Sequence, residues 1–142
     1  TSPRRSVYMP IVRNAMFTMF AVFDYANSAT PVGKRDNTVV PSQSLLMMNS
    51  PFVVEQAELF SKELLNGEAE TEEGRIETAF VTAYGRPPSL DEISEAKTFL
   101  NAMRGVSMST PEESDDLQLA EEFAWSKLAH VIVASSEFMY ID

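Results

Sequence analysis

The sequence predicts a mostly α fold: a compact bundle of about five to six helices with an extended N-terminal segment and a long ordered loop. Three observations carry this expectation. Through residues 51–142 apolar side chains recur at steps of three and four, the period of one helix face. The prolines of that half, Pro51, Pro87, Pro88 and Pro111, fall at the edges of those runs. The one β-favouring stretch, residues 7–12, contains Pro10 and suits an extended segment or an edge strand rather than a central strand.

Taken in order, Asn14 can cap a short helix carrying Met16, Phe17, Met19, Phe20 and Phe23, a set bulky enough to need burial on most sides. Residues 24–41 then show turn chemistry (Ala26-Asn27-Ser28, Thr30-Pro31, Val32-Gly33), which makes them a long ordered loop. Ser42 caps a short helix over 43–48 that stops at Asn49. Ser50-Pro51 places an N-cap before a proline at the first helical position, and Phe52, Val53, Ala57, Phe60 and Leu64 follow at helical spacing up to Asn66-Gly67. An acidic connection over 68–73 leads to a helix with Ile76, Ala79, Phe80 and Ala83 on its apolar face, ending at Tyr84 with Gly85 placed for a left-handed cap. Arg86-Pro87-Pro88 forbids continuation, and Ser89-Leu90-Asp91-Glu92 fits a capping box. Leu90, Ile93, Ala96, Leu100 and Met103 form the buried stripe of the next helix, which ends before Gly105 and pairs with its predecessor as a hairpin. Residues 106–114 read as a loop, and the acids of 112–116 favour the start of a last helix bearing Leu117, Ala120, Phe123, Ala124, Leu128, Val131 and Ile132. The tail Phe138-Met139-Tyr140-Ile141 is apolar enough to pack back.

The 142 residues are the length of one domain, and 44% hydrophobic residues can build a core, which excludes whole-chain disorder. With no cysteine, the chain cannot be a disulfide scaffold, a thiol enzyme, a Cys-ligated metal site or a Cys-x-x-Cys-His haem attachment. A single histidine, His130, excludes multi-histidine metal sites; beside Val131 and Ile132 it reads as a packed or half-exposed helix residue. The acids lack the spacing of a calcium loop, so no metal site is expected. The charge of −10 is split: residues 1–50 hold five Lys/Arg against two acids, net +3, and residues 51–142 hold six against nineteen, net −13. We therefore expect a single domain over 1–142 with a basic, loop-rich subregion (1–50) and an acidic helical one (51–142). So acidic a half repels phosphate, and nucleic acid is not an expected partner. No stretch reaches the roughly 18 apolar residues of a membrane span, and Thr1-Ser2-Pro3-Arg4-Arg5 does not open a signal peptide. The missing initiator methionine fits a mature product or an excised piece of a longer protein.

Candidate site residues come from the half that helix packing explains least: Arg5, Tyr8, Arg13, Asp24, Arg35, Asn37, Thr38, Gln43 and Asn49, polar residues set among heavy apolar ones. One reading is a structural network pinning the loop onto the helices, with Asp24 paired to Arg13 or Arg35. The other is a pocket for a carbohydrate or small anion that uses the guanidinium forks with Gln43 and Asn49.

Several stretches resemble the DUF1553 family, also called PSD1. They are Arg4-Arg5-Ser6-Val7-Tyr8, Val22-Phe23-Asp24, Pro31-Val32-Gly33-Lys34-Arg35, and the run from Pro41-Ser42-Gln43 through Asn49-Ser50-Pro51-Phe52-Val53. Arg75-Ile76, Ala83-Tyr84-Gly85-Arg86-Pro87-Pro88, Glu92, Ala124-Trp125 and Ser135-Ser136-Glu137-Phe138 also resemble it, so the likeness spans nearly the whole chain. The resemblance implies the C-terminal part of a large exported protein, periplasmic or at the cell surface, of a planctomycete type that often carries DUF1549 and cytochrome c-like domains upstream. It supplies no catalytic residues, and it implies no cofactor in this chain, any haem belonging to an upstream domain. Three functions follow as expectations. The first is a non-catalytic structural or interaction module that docks upstream domains or another protein. The second is a carbohydrate-active or hydrolase-associated domain around Asp24, Arg35 and Gln43. The third is an electron-transfer auxiliary whose acidic half docks a cytochrome-type partner. Enzymatic activity is not expected of the isolated domain.

Overall fold

In a computed structural model, residues 22–23, 41–107 and 117–139 are described. Six helices follow one another among them: α1 (Pro41–Asn49), α2 (Pro51–Asn66), α3 (Glu72–Tyr84), α4 (Leu90–Ser107), α5 (Leu117–Ala134) and α6 (Ser136–Met139). There is no strand among the described residues, in keeping with the mostly α expectation. The expected N-terminal segment, the short helix after Asn14 and the long loop lie outside the described residues, as do residues 108–116. The chain divides into two compact units, 1–46 and 47–142.

In the second unit α5 is the central element, packing most extensively on α2 and α4 and also touching α3 and α6. Its buried face is built from small residues around a few large ones: Ala120, Ala124 and Ala129 admit close approach, while Trp125, Leu128 and Ile132 fill the space between helices. Trp125, Ile76 and Leu100 are the largest fully buried side chains, and Leu64, Ala79, Phe80 and Ala96 close the core around them.

Each helix boundary has a local cause. Ser50 is extended and precedes Pro51 at the first helical position; its hydroxyl makes no capping bond, so the proline and the backbone set the start of α2. At the other end Gly67 is extended, not left-handed, and a Cβ there would lie 3.2 Å from the Glu63 carbonyl oxygen, closer than a side chain comfortably allows. α3 begins where Thr71 accepts a bond from the Gly74 N–H at 3.1 Å, which moves Glu72 and Glu73 from the expected connection into the first turn. It ends at Gly85, with φ 72° and its N–H bonded to the Val81 carbonyl. Open space surrounds a Cβ built at Gly85, so Gly85→Ala meets only the backbone strain of the left-handed region, and the unfolding free energy is expected to fall by about 1–2 kcal/mol in urea denaturation. The capping box of α4 is formed on both sides: Glu92 N–H donates to Ser89 Oγ at 3.2 Å, and Ser89 N–H to Glu92 Oε2 at 2.6 Å.

The structure amends the sequence expectations at several points. α1 begins at Pro41, ahead of the expected cap at Ser42. α4 runs through Gly105 to Ser107; a helical glycine costs only about 1 kcal/mol, less than the anchoring of Arg104 described below. Phe52, Leu90, Leu117 and Val131 match the helical spacing yet are 54%, 86%, 76% and 54% exposed. Leu90 and Leu117 stand at the first position of their helices, beyond the packed layer. Ser61 is buried where the apolar pattern of α2 has a gap, its hydroxyl satisfied by the Glu58 carbonyl at 2.9 Å. Among the described residues no helix is long and apolar enough to cross a membrane.

Candidate functional site

Of the nine residues singled out from the sequence, Gln43 and Asn49 are described; Arg5, Tyr8, Arg13, Asp24, Arg35, Asn37 and Thr38 lie outside the described residues. Gln43, in the first unit, is buried and its Nε2 donates to the Val22 carbonyl at 3.0 Å. Asn49 is the exposed last residue of α1. His130 is half-buried on α5 with Nε2 3.1 Å from the Met47 carbonyl oxygen; since a carbonyl only accepts, the ring carries its proton on Nε2 and donates it.

The polar residues that do converge lie in the second unit, in two clusters. The first centres on Arg86, just past the cap of α3. Its guanidinium has five N–H donors, and five acceptors meet them. Nε and Nη2 donate to the Glu137 carboxylate at 2.6 and 2.9 Å. Nη1 and Nη2 donate to Glu92 at 3.0 and 2.7 Å, and Nη1 also reaches the Pro87 carbonyl at 3.2 Å. The guanidinium carbon lies 5.8 Å from the Phe80 ring centre and 5.7 Å from that of Tyr84, and the two rings meet edge to face at 5.2 Å. Beside it the Tyr84 hydroxyl donates to Ser135 Oγ at 3.0 Å, and Ser135 Oγ donates to the Ile132 carbonyl at 2.8 Å. The same serine accepts the Phe138 N–H at 3.2 Å and so caps α6. The cluster fastens α6 and the end of α5 to the α3–α4 hairpin.

The second cluster surrounds Arg104 near the end of α4. Nε and Nη2 hold both oxygens of Glu121 at 2.6 and 3.0 Å, Nη2 also reaches Glu72 at 2.6 Å, and Nη1 reaches Asn101 at 3.0 Å. Glu121 Oε1 also accepts the indole N–H of Trp125 at 2.8 Å, so one carboxylate joins the buried tryptophan to the ion pair. Arg75 adds a favourable charge near Glu121, although its Nε is buried with no hydrogen-bond partner, the nearby carboxylate being engaged by Arg104 and Trp125. A third pair, Lys97 with Glu73, links α4 to α3.

These contacts set the titration of the site. Hydrogen bonds from Arg86 and from the Ser89 backbone hold Glu92 down to about 2, while Arg104 lowers Glu121 and Lys97 lowers Glu73. Burial pushes the Tyr84 phenol up. Carboxylates held below their unfolded values stabilise the fold in their ionised form, so their contribution is complete above the ordinary carboxylate range and is lost as pH falls through the folded values. The urea midpoint is therefore expected to be level between pH 7 and about 5.5 and to fall steadily between about pH 4.5 and pH 2. Arg86→Ala flattens that fall; a midpoint that drops no less steeply in the variant would remove Glu92 from the account.

Sequence reasoning missed the roles of Arg86, Arg104, Glu72 and Glu121. Arg86 enters there as part of a helix stop and of a family-like stretch, because nothing in local spacing points across the 51 residues to Glu137. The available signal lay in the order of residues: Tyr84, Arg86, Glu92, Ser135 and Glu137 all belong to the stretches that carry the family resemblance, and the structure brings them to one place. Chemically, both guanidinium groups are occupied by the chain's own carboxylates. Among the described residues no three His, Asp or Glu side chains converge as a metal site requires.

Comparison with known families finds a match over residues 1–100 to PSD1, described as a protein of unknown function (DUF1553). No curated protein and no solved structure matches the chain. The match covers well over half of the sequence and agrees with the resemblance carried by the motifs around Pro41-Ser42-Gln43 and Tyr84-Gly85-Arg86-Pro87-Pro88, and the chain belongs to the DUF1553 (PSD1) family.

Proposed function

We propose that the chain is a non-catalytic helical module of a larger, exported, planctomycete-type multidomain protein, and that it acts by docking against that protein's other domains or a partner protein. The observation that carries this reading is the Arg86 cluster. Tyr84, Arg86, Glu92, Ser135 and Glu137 bind one another and fasten helices together, with every guanidinium donor of Arg86 already engaged. Residues held in this way make a rigid surface rather than a reacting centre. In this reading any haem belongs to an upstream domain, as the family resemblance implies, and this chain has no cysteine for covalent attachment. Export and the upstream domains rest on the family resemblance.

The test is to produce this chain and the remaining domains of the full-length polypeptide as separate proteins and to follow their association by calorimetry and light scattering. A one-to-one complex is expected, with no turnover of glycoside or ester substrates by the chain alone. Absence of association together with turnover by the isolated chain would overturn the proposal.

A further inference from the structure

The C-terminal end of α2 carries a chemistry that the ion clusters do not use. Asn66 is the last residue of that helix, and it is the one asparagine of the chain followed by glycine. Asn66, Gly67 and Glu68 are all exposed. Among the described residues neither the Asn66 carboxamide nor the Gly67 N–H has a hydrogen-bond partner, whereas the N–H of Gly85, at the corresponding end of α3, is held by the Val81 carbonyl. The glycine is itself a packing requirement. A Cβ at 67 would lie 3.2 Å from the Glu63 carbonyl oxygen and 3.5 Å from that of Leu64. The way α2 ends therefore demands, directly after Asn66, the residue that least obstructs approach of its own nitrogen to the preceding side chain.

We propose that Asn66 is a self-modification site of the folded chain, converted through a cyclic imide to aspartate and isoaspartate. The Gly67 nitrogen gives its proton to solvent base and bonds to Asn66 Cγ; the Cγ–Nδ2 bond breaks and ammonia leaves. Water then opens the imide at either carbonyl. Attack at Cγ restores the normal backbone and leaves aspartate, and attack at the Asn66 backbone carbonyl leaves the chain running through Cγ as isoaspartate. Water is the sole co-reactant, and no atom changes oxidation state. Nucleophile and electrophile stand in adjacent residues, so the step depends on how readily the last turn of α2 lets them meet. The other described asparagines are placed differently. Asn101 lies within α4 with its Oδ1 bonded to Arg104 Nη1 at 3.0 Å, and Asn49 precedes Ser50, whose Cβ obstructs the approach. The conversion alters the surface it occurs on. Asn66 shares a depression of about 180 Å³ with Lys62, Glu121 and Glu122. The new carboxylate enters at the C-terminal end of a helix, where the macrodipole disfavours negative charge. Glu121 is engaged by Arg104 and Glu122 adds repulsion, while Lys62, one turn back on α2, offsets part of it. The isoaspartate product also lengthens the backbone between α2 and α3 by one methylene, which loosens the last turn of α2.

The test incubates the 142-residue chain at neutral pH beside a synthetic peptide of residues 62–70 and follows both by peptide mapping and mass spectrometry. Conversion is read as the mass difference between water gained and ammonia lost, and fragmentation of the backbone separates isoaspartate from aspartate. The folded chain is expected to convert at Asn66 at a rate within tenfold of that of the peptide, faster as pH rises and the amide proton is more readily lost. Asn49 and Asn101 convert at least tenfold more slowly in the same sample. Asn66→Gln, whose longer side chain must close a larger ring, abolishes the signal at 66, and circular dichroism verifies that this variant keeps its fold. A folded chain that converts more than tenfold more slowly than the peptide overturns the proposal, because α2 then holds Asn66 where the ring cannot close. Conversion at Asn49 or Asn101 as fast as at Asn66 overturns it as well. The experiment involves no other domain or partner, so its outcome is independent of the docking-module reading.

Discussion

A cut after Leu100, where the family match ends, costs the second unit its cooperative fold. The matched segment contains α3 and most of α4, but the apolar face they share is closed by α5. Ile76 and Leu100 are fully buried in one core with Ala124, Trp125, Leu128 and Ile132, all of which lie beyond the cut. Burying a large apolar side chain contributes about 1.5–3 kcal/mol, so losing Trp125, Leu128 and Ile132 is comparable to the roughly 5–15 kcal/mol that holds a domain together. The second side of the deficit is charge: Arg104 and Glu121 leave together, which strands Glu72, and Arg86 loses Glu137. Far-UV circular dichroism of residues 47–100 is expected to show weak helicity and no urea transition, while residues 47–139 unfold cooperatively. A cooperative transition in the shorter chain, at the midpoint of the longer, would mean that α5 is an accessory and not the keystone of the core.

The largest single-residue effect is expected at Trp125. The side chain is completely buried, and its indole N–H satisfies the carboxylate that also clamps Arg104. Trp125→Ala removes the packed ring, leaves a cavity and withdraws a donor from Glu121, a combination worth about 3–5 kcal/mol. Trp125→Phe retains most of the volume and loses the hydrogen bond, so its effect is smaller, about 1–3 kcal/mol. The chain has one tryptophan, so unfolding is followed by circular dichroism rather than fluorescence. An alanine variant within 1 kcal/mol of wild type would show that the space around α5 collapses without strain, contrary to the close approach of its alanines.

Sequence signals reached the helices because helix ends are local. The Ser-Pro before α2, the left-handed Gly85 after α3 and the Ser89–Glu92 box before α4 are each written within four residues, and the structure keeps all three as boundaries. Which turn of a helix is covered is not local. Phe52, Leu90 and Val131 carry the right period but no neighbour covers them, whereas Ser61 is polar and buried because α5 crosses there. The ion clusters are less legible still, since Arg86 to Glu137 and Arg104 to Glu72 join residues that only the packed bundle makes neighbours. Of the nine residues singled out as a possible pocket or network, Gln43 donates to the Val22 carbonyl, and seven lie outside the described residues.

The full occupation of Arg86 also limits how this sequence can vary. A lysine offers three donors on a single nitrogen and cannot grip two carboxylates and a carbonyl at once, so position 86 has no conservative neighbour. Loss of the arginine leaves Glu92 and Glu137 facing each other across the joint without a counter-ion, and tolerance then requires neutral residues at 92 and 137 in the same chain. Positions 84 and 135 are tied in the same way through one hydroxyl pair. Substitutions in the α3–α4 turn and in the last helix are therefore expected to be inherited together, and a homologue that departs at one of these sites while keeping the others would be the natural place to look for a bundle whose C-terminal helix is no longer fastened.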